Sequence, residues 1–226
     1  MSIKNYIPLA ALFLTLLLAS VACQKDNYYN DGGLSRQSEA EKNMSTYDFL
    51  ASRPNHPFDS LVKIIDLTNT KNLVNQDNIT FFAVTNDGII RFQSRFNPDD
   101  RQQPRLLSTI GVDTLKMLLN RFIIPDHRIM LEQTVASGIS DLSNFYDDSN
   151  SDSIVLHGIS GIPTPGSQVR TGADKMEYEH RKIPGVDTTS YRMGMQTHNL
   201  ITKNAVIHIL RDAANFAAGF KTRYIR

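Results

Sequence analysis

The stretch at residues 78–92, Asn-Ile-Thr-Phe-Phe-Ala-Val-Thr-Asn-Asp-Gly-Ile-Ile-Arg-Phe, constrains the fold more than any other. Residues 79–84 form a compact run of β-branched and aromatic side chains, as a buried strand requires. Thr85, Asn86 and Asp87 then offer side-chain oxygens suited to cap the first free N–H groups of a helix. Ile89, Ile90 and Phe92 follow as its apolar face. A strand passing through a capped turn into a helix is an architectural unit, and such a turn is also a place where backbone N–H groups meet ligands. No glycine-rich phosphate loop precedes this helix. Phe81, Ala83 and Ile89 therefore read as core, and Thr85, Asn86 and Asp87 as turn-fixing residues.

A chain of 226 residues with 41% hydrophobic content can bury one good-sized core and carry additional segments. Its formal net charge of +1, with both signs spread along the chain, lacks the basic footprint of a nucleic-acid binder. Cys23 is the only cysteine, which excludes an intramolecular disulfide and a thiolate zinc cluster.

That cysteine has a telling position. Residues 1–22 run from a polar start with Lys4 through an apolar stretch to Ala19, Ser20 and Ala22, the plan of a signal peptide. The apolar run is short for a membrane span of about 20 residues. Ala22-Cys23 resembles the lipobox of bacterial lipoproteins, with Ser20 standing where leucine is commonest. The resemblance implies lipidation at Cys23, an outer-membrane lipoprotein at the cell surface, and membrane as one partner. Residues 23–43 are polar, carry Gly32-Gly33 and read as a flexible tether reaching roughly 25 Å.

The folded part is expected at residues 44–212. Thr46 is placed to cap a short helix holding Tyr47, Phe49 and Leu50. Phe58, Leu61, Val62 and Ile65 have the spacing of a second amphipathic helix, and Leu73 and Val74 extend that layer. Residues 96–104 read as a loop, 106–110 and 113–119 as helical, 122–124 as a strand, and 129–135 as either a short strand or a helix. Residues 147–152 form a turn and 153–157 a strand. Prolines and glycines dominate residues 158–185, predicting a long loop or excursion over 158–189. Residues 191–196 and 205–210 read as further strands. Helices early and strands late make an α+β pattern rather than alternating βαβ units.

Two segments together resemble a known family. Thr80-Phe81-Phe82-Ala83-Val84-Thr85-Asn86-Asp87 is similar to the first signature of fasciclin domains, and Asn204-Ala205-Val206-Ile207-His208 to the second. Val84 replaces the usual proline and Ala205 the usual glycine, which implies that residue 205 needs no positive φ. The Tyr-His pair of many members would fall near Arg121-Phe122 and is absent, so integrin-type adhesion is not carried over. The resemblance implies a β-sheet wedge with helices packed around it. It also implies adhesion or interaction with another surface protein or a glycan, without cofactor or catalysis. A glycan- or peptide-binding accessory subunit of an outer-membrane nutrient-uptake complex, acting through the 158–189 loop, is the alternative.

Other constellations are weaker. Asp148-x-Asn150-x-Asp152 has the spacing of the first calcium ligands in an EF-hand. However, Ser153 and Ile159 stand where that loop needs glycine and glutamate, so a polar turn without metal is expected. Gly158-Ile159-Ser160-Gly161-Ile162 lacks the final glycine of a nucleophile elbow, and Pro163 blocks the helix that must follow. Glu177 and His180 form a single weak pairing. His208, in an apolar strand, reads as a core histidine bonded to backbone rather than a base or metal ligand. The tail at 213–226, with Phe216, Phe220, Tyr224 and Ile225, is expected to pack on its own domain.

Overall fold

The computed structural model describes residues 37–95, 103–135, 141–161 and 172–221. Cys23, the signal segment, most of the tether, most of the 96–104 loop and the end of the tail lie outside them. Helices come first: α1 (Glu39–Lys42), α2 (Thr46–Ala51), α3 (Asp59–Leu67) and α4 (Lys71–Val74). Strand β1 (Ile79–Ala83) leads into α5 (Asn86–Arg95), then α6 (Val112–Asn120), β2 (Ile123–Ile124) and α7 (Leu131–Thr134). The remainder is strand: β3 (Leu142–Asp147), β4 (Ser153–Ile159), β5 (Lys175–His180), β6 (Tyr191–Ile201) and β7 (Ala205–Leu210). The fold is α+β.

Among the described residues the strands form one mixed seven-stranded sheet, ordered β2-β1-β7-β6-β5-β4-β3. Its only parallel pairing is β1 with β7, in register from Ile79 opposite Ala205 to Ala83 opposite Ile209. Every residue of both strands is buried, as parallel strands covered on both faces require. The eleven-residue β6 holds β5 with its first half and β7 with its second, and its register shifts at Thr197. That irregularity lets one strand serve two directions of the sheet. Ile64, Ile65, Leu115, Leu118 and Leu119 from the helices join Phe81, Ile207, Leu156 and Tyr178 from the strands in one continuous core.

Several expectations change. Ser45 rather than Thr46 caps α2, its Oγ accepting from the Asp48 N–H. Thr46 is buried and hydrogen-bonds Asn204 instead. Ile90 is 42% exposed, since at one residue past Ile89 it turns 100° away from the core face. The ambiguous 129–135 segment contains the short helix α7. Helix α1 lies inside the segment read as tether: Ser38 and Glu41 make a capping box, and buried Arg53 pairs with Glu41. Gln37 reaches β6 through the Ile201 carbonyl (2.8 Å).

The largest correction concerns the described part of the 158–189 stretch; residues 162–171 of that predicted loop lie outside the described residues. β5 runs through the described part, with Met176, Tyr178 and His180 buried and Lys175, Glu177 and Glu179 on the other face. It is an interior strand between β4 and β6. β3 is a further strand the sequence reading did not assign. Beyond β7 the described part of the tail, to residue 221, packs back as expected, with Phe216 between Phe92 and Phe122 (5.5 Å to each ring). Lys221 N–H donates to the Val186 carbonyl (3.1 Å), closing a strap across the domain.

Candidate functional site

The two signature segments become neighbours although more than a hundred residues separate them. Thr80, Phe81, Phe82 and Ala83 lie in β1 and Val206, Ile207 and His208 in β7, at facing positions. Phe82 stacks on His208 at 5.7 Å. Thr80 turns its hydroxyl outward from the pair, donating to the His127 carbonyl (2.7 Å) and accepting from Ile129 N–H (2.8 Å). Asn204 precedes β7 and acts as a hub. Its Oδ1 accepts from the Thr46 N–H and hydroxyl, and its Nδ2 donates to the carbonyls of Val74 and Gln76 (3.1 Å each). One amide thus ties α2 and α4 to the start of the second signature. Ala205 has no positive φ, as expected from its replacing glycine.

The turn residues do more than cap their own helix. Thr85 starts α5 through its carbonyl, which accepts from Ile89 N–H (3.2 Å). Its hydroxyl donates across the chain to Asp212 Oδ1 (3.0 Å). Asn86 Oδ1 accepts from Ser60 N–H (2.9 Å) in the first turn of α3, and its Nδ2 donates to the His56 carbonyl (2.7 Å). The amide therefore caps a neighbouring helix instead of α5. Sequence proximity suggested the nearer helix; the fold brings α3 closer to the side chain.

Where these turns meet, beside Asp212 just beyond β7, the surface opens into a groove of about 400 Å³. Asn55, Thr85, Asn86, Asp87, Gln196 and Asp212 line it. Asp87 and Asp212 bring carboxylates to the rim, and Asn55 and Gln196 bring amides. Such a lining suits hydroxyl, amide or cationic groups, which its carboxylates and amides can hydrogen-bond.

The remaining candidates resolve into structure. His208 accepts at Nδ1 from Asn199 N–H (3.3 Å) and meets the Ile129 carbonyl with Nε2 (2.9 Å), which fixes the Nε2-protonated tautomer. Burial, reinforced by nearby His198 and opposed by the Ile129 contact, lowers its pKa to about 3. It is a neutral core residue, as the sequence reading holds. Glu177 does not pair with His180: it binds Arg192 Nε (2.6 Å), while His157 Nε2 meets Glu179 (2.7 Å). Ser160 is buried, and Gly161 N–H is held by Asp174 (2.7 Å), which gives no exposed nucleophile elbow.

Asp148 Oδ1 accepts the N–H groups of Asn150 (2.7 Å) and Asp152 (2.9 Å), the Asx turn that its spacing allows. Asn150 points its amide to Asn120 and the Met117 carbonyl, so the EF-hand set is not assembled.

Sequence reasoning missed Arg121 and Asp187, a fully buried ion pair of 3.0 Å. A lone arginine within the apolar run at residues 117–124 was the available signal.

No family model matches the sequence, and neither does any curated protein. Among solved structures the chain is similar to a FAS1 domain pair from the insect cell adhesion molecule fasciclin I. The identity is 14% and the TM-score 0.43, over 73% of this chain and 47% of that one. The chain thus spans about half the length of that neighbour.

Proposed function

We propose that this chain is a non-enzymatic envelope lipoprotein, anchored in the outer membrane by lipid on Cys23. It displays a fasciclin-like domain, a sheet wedge with surrounding helices, for adhesion or docking to another surface molecule. The observation that carries the reading is the in-register pairing of residues 79–83 with 205–209, because two signature-like segments become one central element. A groove of carboxylates and amides opens at the end of that element, where Thr85 bonds Asp212, and it supplies a binding face. The same lining also favours a second reading, a glycan- or peptide-binding accessory of a nutrient-uptake complex.

Fractionation tests the anchor. Wild-type chain is expected in the membrane fraction and Cys23→Ala in the soluble fraction; quantitative membrane retention of Cys23→Ala would contradict the lipid anchor. Pull-down from intact membranes separates the two readings: a transporter partner favours the uptake accessory, and a surface adhesin or matrix component favours adhesion.

A further inference from the structure

Four ionisable side chains converge where the β3–β4 turn, the end of β5 and the C-cap of α6 meet. Arg121, His180 and Asp187 are wholly buried, and Asp148 nearly so. Asp187 is well satisfied: Oδ1 binds Arg121 Nη2 (3.0 Å) and Oδ2 accepts from Ile183 N–H (3.0 Å). Asp148 is satisfied on one side only. Its Oδ1 holds the turn, while Oδ2 makes no hydrogen bond to any described protein atom. Neither do the two ring nitrogens of His180. Yet Asp148 Oδ2 and His180 Nε2 face each other at 3.5 Å. Burying two such groups without a shared partner leaves their desolvation uncompensated.

We propose that Asp148, Asp152 and His180 bind a divalent first-row transition-metal cation of the zinc, cobalt or manganese class. One ligand atom from each residue lies within 4.8 Å of the other two. Two donors each about 2.0–2.1 Å from a tetrahedral ion stand roughly 3.4 Å apart, close to the 3.5 Å between Asp148 Oδ2 and His180 Nε2. An imidazole with two carboxylates selects such ions over calcium, which takes six to eight oxygen ligands.

Charge agrees. Asp148, Asp152 and Asp187 set three carboxylates against the single guanidinium of Arg121, an excess of two negative charges that a dication neutralises. Behind the ring, Asp187 Oδ2 lies 4.0 Å from His180 Nδ1, on the side where metal-bound histidines keep an orienting carboxylate. Tyr191 stacks on the imidazole at 5.7 Å and fixes its plane. Asp152 is only partly buried and gives the ion a way in. The bound ion would pin the β3–β4 turn to the end of β5. This site differs from the EF-hand pattern, since Asn150 is turned away and His180 comes from another strand.

The test uses the purified full chain, stripped with chelator and titrated with Co²⁺ and Zn²⁺ by absorption and calorimetry. One equivalent of Co²⁺ should bind with visible d–d bands that Zn²⁺ displaces, and Tm should rise. Asp152→Asn, at a partly exposed position, should weaken binding at least tenfold. In the wild-type chain, Zn²⁺ should also shift the ¹⁵N resonance of His180 Nε2, a readout that needs no variant. Absence of Co²⁺ and Zn²⁺ binding, binding unchanged by Asp152→Asn, or an unmoved His180 resonance would each overturn the proposal.

Discussion

His208 has both ring nitrogens engaged and no solvent exposure, so the folded state accepts its proton only near pH 3. The unfolded chain takes that proton near the ordinary 6.5. Between these values the unfolded state binds more protons, and stability must fall as pH drops below about 6.5, levelling only near 3. At pH 5 the loss from this one residue is about 2 kcal/mol. His198, lowered chiefly by burial, adds to the same slope. Urea melts of wild type and His208→Gln at pH 7.5 and 5 check the sign. The variant's amide can replace both hydrogen bonds but not the ring stacked on Phe82, so it should be weaker at pH 7.5 but lose about 2 kcal/mol less on acidification.

The core role of His208 was legible, because a histidine inside an apolar strand has few other places to go. The partners of Asn86 and Asn204 were not. A sequence shows that an amide can cap, but not which of several helix ends the fold will bring to it.

At the scale of elements, the strand-turn-helix at 78–92 was readable because its apolar run is unbroken, although its turn side chains bond distant partners, Asp212 and the start of α3. β5 alternates as Lys-Met-Glu-Tyr-Glu-His, a period-two signal that the surrounding prolines and glycines obscured. β3 alternates between half-buried and exposed positions only, which leaves a shallow apolar signal for an edge strand.

The strap depends on one close approach. A Cβ on Gly88 would lie 2.6 Å from Val84 Cγ1 and 2.9 Å from the Ala214 carbonyl oxygen, and the Gly88 carbonyl accepts from Phe216 N–H (3.3 Å). Gly88→Ala must therefore push α5 away from the strap. Overpacking of this kind costs about 1–3 kcal/mol, against a helix-propensity gain of up to about 1. The expected outcome is a net loss of about 1–2 kcal/mol in urea melts, with faster amide exchange at residues 214–220. An unchanged exchange pattern would mean that the strap is not seated on α5.

For the whole molecule, the division of labour follows from where polar groups collect. Residues 79–83 and 205–209 are spent on core packing, so the proposed function rests on the groove beside them and on the proposed lipid anchor. Thr85, Asn86 and Asp87 were singled out beforehand, but the groove they line was not legible, because Asn55, Gln196 and Asp212 come from three distant stretches. Within the 158–189 stretch, expected to carry binding, Lys175–His180 form an interior strand, and residues 162–171 lie outside the described residues.

The most direct measurement is site-specific photo-crosslinking in intact cells. A photoreactive residue would replace Asn55 or Gln196 at the groove, with Lys63 on α3 as the comparison. The account predicts a discrete adduct with an envelope component from the groove positions, weakened when Asp212→Asn removes a rim charge. Adducts arising equally from Lys63, or none from the groove, would contradict it.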